Sequence, residues 1–329
     1  MAAAPLNSSK WFFKKMDGLR SSNKTNIECL LFDLDDTLYP MRSGINMACR
    51  MNIIDYMIEH LKIEESEVPR MCLDLYKEYG TTMAGLKALG YEFDNDEFHA
   101  YVHGRLPYET LKPDPILRNL LLSTPQRKII FTNGDKAHAL KALSRLGLED
   151  CFEGIICFET LNSTPLEPEN IDDADSVKVD TNTVDSCANF YLDEADELGF
   201  FTASNEFVTE KANIDNENNC NDGIAKSPIL CKPSVEAILA AIRIADIDPN
   251  KTIFFDDSMR NIASGKKAGL RTVIVGSSVL VPGADLALSS IHNMREALPE
   301  IWEIEGEEDH LEHQVMQQST SVETVVVLA

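Results

Sequence analysis

The feature that most narrows what this chain can fold into is the run LFDLDDTLY at residues 31–39, where an apolar segment stops abruptly in carboxylates. Residues 27–32, apart from Glu28 and Cys29, are apolar and read as a buried strand. Asp33 and Asp35 follow as that strand opens into a loop. In open α/β sheets, ligands sit beyond the carboxyl ends of the strands, so acids placed there are candidates for chemistry. Taken singly, the run is also compatible with an ordinary acidic loop after a strand.

Three further segments share the pattern. Arg127–Phe131 reads as a strand leading into Thr132, Asn133 and Gly134. Lys232 lies in the run CKPSVE (231–236), at the start of a helix. Thr252–Phe255 reads as a strand that ends in Asp256, Asp257 and Ser258. Each residue has a plain alternative in isolation: Thr132 and Asn133 suit a turn, Lys232 a solvated surface, and Asp256 and Asp257 a helix cap. In this order they resemble the four signature motifs of the haloacid dehalogenase (HAD) superfamily, and the resemblance spans residues 27 to about 295.

The resemblance implies a chemistry with a physical rationale. A phosphate monoester is anionic, so a carboxylate nucleophile needs its charge neutralised before it can approach phosphorus. Mg²⁺, a hard cation with oxygen ligands, suits that task. By resemblance, Asp33 is the nucleophile that forms an aspartyl-phosphate, and Asp35 is the general acid and base. Thr132, Asn133 and Lys232 would hold the phosphoryl oxygens. Asp33, Asp256 and the backbone carbonyl of Asp35 would bind the metal, with Asp257 either a further ligand or a supporting partner. Dehalogenases of the superfamily lack an acid at the position of Asp35, because halide needs no proton, so a phosphate-handling member is expected.

The alternation of strands and helices implies a doubly wound parallel α/β sheet. Helices are expected over Asp135–Leu146, with Leu140, Leu143 and Leu146 on one face, and over Ser234–Ala245, with Ile238, Leu239 and Ile242 inward. Another is expected over Asn261–Ala268, with strands at Gly154–Phe158 and, last, Arg271–Val275. The expected domain plan has a core at 27–39 and 112–295 and an all-helical cap at 40–111. In that cap Met47, Met51, Ile54, Ile58 and Leu61 recur at helical spacing and are expected to form helix core. The cap sequence YKEYGTTMAGL (76–86), with LKPD at 111–114 and FTN at 131–133, resembles the eukaryotic pyrimidine 5′-nucleotidase branch. A pyrimidine nucleoside 5′-monophosphate is the substrate this implies. A sugar, ribityl or pyridoxal phosphate, or a phosphomutase reaction, would use the same motifs.

Charge organises what remains. Residues 160–226 hold sixteen acidic residues against three lysines, with little periodicity, and read as a disordered insertion. A scaffold that binds a basic protein partner through this insertion is the non-enzyme alternative. Residues 1–26 read as a disordered leader or a transit peptide, and 300–329 as an acidic tail. The net charge of −24 excludes the basic footprint of a nucleic-acid binder, and no apolar stretch has the length to span a bilayer. Eight cysteines without zinc-ligand spacing suit a reducing compartment, so a cytoplasmic location is expected, or an organelle if the leader is a transit peptide.

Overall fold

A computed structural model describes residues 26–162 and 226–302. The leader, the acidic insertion and the tail expected from the sequence lie outside the described residues, apart from their edges. Six parallel strands form one sheet: Cys29–Phe32 (β1), Arg127–Phe131 (β2), Gly154–Ile156 (β3), Thr252–Asp256 (β4), Arg271–Val275 (β5) and Leu286–Leu288 (β6). Their order is β3-β2-β1-β4-β5-β6. Every residue of β1 and β4 is buried, because both faces of a parallel sheet are covered by helices, which explains the continuous apolar runs.

Alternate residues of each strand serve the two faces. Leu30, Phe32, Ile130 and Phe255 pack on one side against Pro115–Leu122 (α5) and Lys136–Leu146 (α6). Leu31, Ile129, Phe131 and Phe254 pack on the other against Val235–Ala245 (α8) and Met259–Lys267 (α9). The rings of Phe32 and Phe255 stack across adjacent strands at 4.7 Å. A short helix, Phe158–Asn162 (α7), follows β3, so Phe158 begins a helix where the sequence reading continued a strand.

Between β1 and β2 stand Ile45–Glu59 (α1), Val68–Tyr79 (α2), Thr82–Ala88 (α3) and Asn95–Val102 (α4). They share their own apolar cluster, centred on Tyr56, Met57, Leu75, Leu86 and Phe98. Local signals define their ends: the side chain of Thr81 accepts the Ala84 N–H, and that of Asp94 accepts the Glu97 N–H.

Some expected faces turn out differently. Met47 and Met51 are exposed, because α1 buries the side carrying Ile45, Asn52, Tyr56 and Met57 instead. Leu140 and Leu239 are exposed as well. The small residues Ala139 and Ala142 on α6, and Ala237 and Ala241 on α8, let those helices approach the sheet closely and set the buried stripe beside each leucine. Arg271–Val275 is not the last strand, since the three-residue β6 pairs with it. Among the described residues no helix is long and apolar enough to cross a membrane.

Candidate active site

The sheet order reverses between β1 and β4, the point in a doubly wound sheet where a crevice opens beyond the strand ends. Asp33 directly follows β1 and donates its backbone N–H to Phe255 O at 2.8 Å, and Asp256 closes β4. The two acids are thus brought side by side from distant parts of the chain. Both are buried, Asp256 completely.

Lys232 completes this half of the site from the segment ahead of α8. Its ammonium donates to Asp33 Oδ1 at 2.7 Å, to Asp256 Oδ2 at 2.8 Å and to the Phe131 carbonyl at 2.7 Å. All three of its hydrogens are engaged, and only 1% of the residue is exposed. The adjacent carboxylates hold its pKa well above the usual lysine value despite burial, which opposes charge. Two elements seat its backbone. Asn133 accepts the Lys232 N–H at 2.8 Å and donates to the Lys232 carbonyl at 3.0 Å. Gly80, at φ +89°, packs against the same peptide so closely that a Cβ there would stand 2.4 Å from the Lys232 oxygen. The side chain of Asn133, expected at a phosphate, is therefore occupied in placing Lys232.

The remaining oxygens are held in turn. Thr37 donates to Asp33 Oδ2 at 2.8 Å. Asp256 Oδ1 accepts the Ser258 N–H and the Asn261 amide, each at 2.9 Å. Both carboxylates are oriented by partners that sit two to five residues further along the chain.

Asp35 occupies a different environment. Its Oδ1 accepts hydrogen bonds from the Tyr39 hydroxyl and from His138 Nε2, the latter at 2.7 Å. Its Oδ2 meets the Thr132 hydroxyl at 3.4 Å, and about a third of the side chain is exposed. Thr132 is oriented by the Gly134 N–H, which donates to its Oγ1 at 3.0 Å.

Carboxyl oxygens of Asp33, Asp256 and Asp257 lie within 4.8 Å of one another. Burial, opposed in part by Lys232 and reinforced by Asp256 and Asp35, raises the Asp33 pKa to about 7. Burial and the charges of Asp256 and Asp33 also push Asp257 well up. Three hard oxygen donors crowded against one ammonium form a set that a divalent cation fits, since it would relieve their repulsion and keep them ionised. Mg²⁺ matches that donor chemistry, and Asp257 joins the cluster as a candidate ligand.

Several site residues escaped the sequence reading. Tyr39 and Thr37 each lie four residues beyond the acid they serve, so a tight turn after β1 brings them back, a spacing visible in the sequence. His138 gave no such sign, because its contact with Asp35 depends on how α6 docks. Around it, the Tyr108 hydroxyl lies 2.8 Å from His138 Nδ1, and the His103 ring stacks on it at 4.7 Å. His103 is in turn held by Asp135 at 2.5 Å. Asp135 occupies the N-cap position of α6 yet makes no cap bond with its side chain.

No family model matches the chain. Over 132 residues it is 30% identical to phosphate metabolism protein 8 of Saccharomyces cerevisiae, a match covering 38% of this chain and 41% of that protein, well short of its full length. Among solved structures it is similar to a HAD phosphatase from Thermococcus onnurineus (15% identity, 82% of this chain and 97% of that one, TM-score 0.45). It is also similar to a putative HAD-hydrolase from Bacillus subtilis bound to magnesium (16% identity, 82% and 98%, TM-score 0.43). The neighbours are thus HAD-superfamily proteins, while the doubly wound fold itself stands on the strand order and register described above.

Proposed function

We propose that this protein is a Mg²⁺-dependent phosphomonoesterase of the HAD type, working through an aspartyl-phosphate on Asp33, with a pyrimidine nucleoside 5′-monophosphate as substrate. The observation that carries the reading is the buried Lys232 ammonium, held between Asp33, at the end of the first strand, and Asp256, at the end of the fourth. A lysine buried between two carboxylates at a sheet's switch point is a costly arrangement for stability alone. For an attack on an anionic ester it places positive charge where the nucleophile and the phosphoryl oxygens meet.

In this mechanism Asp33, fixed by Lys232 and Thr37, attacks phosphorus from the strand end. Bound Mg²⁺ would supply charge neutralisation and orient the phosphate, held by Asp33, Asp256, the Asp35 carbonyl and Asp257. Asp35 gives a proton to the departing oxygen and then takes one from the water that hydrolyses the phosphoenzyme. Thr132, oriented by Gly134, offers its hydroxyl to a phosphoryl oxygen. The preference for a pyrimidine nucleotide rests on the likeness of residues 76–86, 111–114 and 131–133 to that branch.

The test is a panel of phosphomonoesters assayed with Mg²⁺ and with chelator, followed by acid quench and peptide mass analysis for phosphate on Asp33. Hydrolysis of UMP or CMP above AMP and hexose phosphates, lost on chelation, is the expected result. Flat activity across the panel would remove the nucleotide assignment but keep the phosphatase, and turnover that needs a bisphosphate would identify a mutase instead.

A further inference from the structure

We propose that His138 is a positioning residue for Asp35: it pins one carboxyl oxygen so that the other faces the leaving group. The inference rests on the phosphatase reading above and deepens it. Oδ1 of Asp35 is saturated by the Tyr39 hydroxyl and His138 Nε2. Among the described residues, Oδ2 keeps only the long contact to Thr132, a residue of the proposed phosphate site. The carboxyl plane is therefore set, and Oδ2 is the oxygen free to exchange a proton with the departing group.

The imidazole is itself held on three sides. Its Nε2–H donates to Asp35, and Nδ1 shares a hydrogen bond with the Tyr108 hydroxyl at 2.8 Å. The His103 ring lies over its face with an interplanar angle of 30°, and Asp135 holds His103 by Nδ1. His138 is 3% exposed, so water does not compete for these bonds. Tyr108 and His103 both come from the stretch between β1 and β2, whereas His138 belongs to α6. The orientation of the acid thus depends on how the inserted helices meet the core. Any buried imidazole needs partners for both ring nitrogens; what sets His138 apart is that one of those partners is the candidate acid Asp35.

The experiment compares kcat/KM for two esters with Mg²⁺: p-nitrophenyl phosphate, whose phenolate leaves without help, and UMP, whose ribose oxygen needs a proton. His138→Phe keeps the ring and its stack but removes both hydrogen bonds. Its loss on UMP is expected to exceed its loss on p-nitrophenyl phosphate by about tenfold or more. His138→Gln, whose amide reaches the place of Nε2, is expected to recover most of that difference. In an Asp35→Asn background, His138→Phe should add nothing further to the difference between the esters, since both changes act through one group.

Equal losses on both esters, or full additivity with Asp35→Asn, would overturn the proposal and leave His138 a packing residue. If the phenylalanine variant does not fold, Tyr108→Phe decides, because it removes only the hydroxyl behind Nδ1. The same split in smaller size supports the proposal and its absence overturns it. A wild-type enzyme inert toward every ester would bring down the phosphatase reading and this proposal together, whereas an active wild type with unsplit variants would bring down the proposal alone.

Discussion

Asp33 and Asp35 are two residues apart in one loop, yet they live in opposite surroundings. Asp33 is buried among acids and an ammonium, and burial with its acidic neighbours raises its pKa to about 7 against the pull of Lys232. Asp35 is partly exposed and surrounded by His138 and Tyr39. Burial would raise its pKa as well, but the charge and hydrogen bond of His138, and then the Tyr39 hydroxyl, take it below the usual carboxylate range. Two carboxylates of one motif thus become different chemical groups through their partners alone. Asp33 is built to meet positive charge, from Lys232 and a cation. Asp35 is built to stay ionised until an anionic phosphate arrives beside it and favours its protonated form.

The largest effect should come from taking away the group on the charged side. Asp33→Asn keeps the shape and removes the nucleophile, so turnover should fall by about four orders of magnitude or more with the far-UV circular dichroism unchanged. Turnover within tenfold or so of wild type would end its role as nucleophile. Lys232→Met comes next. It strands Asp33, Asp256 and Asp257 without their ammonium, so kcat should drop by about 10²–10³-fold. Removing one partner of a buried charge cluster should also lower stability by about 3–5 kcal/mol in denaturant titrations. Added Mg²⁺ should restore part of the stability, because it neutralises the same oxygens; no effect of Mg²⁺ would argue against a cation in this cluster.

On the other side of the comparison, Asp35→Asn should cost about 10²-fold on UMP and far less on p-nitrophenyl phosphate. Equal losses would mean that Asp35 is not the source of the proton and that the two acids are less different than their surroundings imply. The smallest effect expected is from Gly80→Ala. A Cβ there meets the Lys232 carbonyl and Pro233, and φ is positive. A loss of about 1–3 kcal/mol in stability should be joined by a modest fall in kcat, measured on the folded fraction. Stability loss with unchanged kcat would show that the lysine side does not depend on the inserted helices for its placement.

How much of this was legible in the sequence depends on the range of the interaction. Strands β1, β2, β4 and β5 were visible, because burial of most of each strand on both faces demands continuous apolar runs. β6 was not, since three residues at a sheet edge carry little pattern. The acids at strand ends could be named, and so could Thr132 and Lys232, because chain order and strand punctuation carry that signal. The helix faces were misjudged at Met47, Met51, Leu140 and Leu239, where hydrophobicity pointed inward but small alanines and the Tyr56 cluster set the contact. That the Asn133 side chain grips the Lys232 backbone could not be seen, because it pairs residues 99 apart in the chain.

The sequence alone determined which groups stand at the mouth of the sheet: Asp33, Asp35, Thr132 and Asp256 follow from strand ends, a local matter of backbone geometry. Only the tertiary structure decided what each group faces. Lys232 lies 199 residues beyond Asp33 and meets it because β1 and β4 are neighbours at the point where the sheet reverses. His138 meets Asp35 because α6 packs beside the first loop. Burial and charge act through space, so the division of one acidic motif into a nucleophile held by an ammonium and an acid held by an imidazole exists only once the chain has closed on itself.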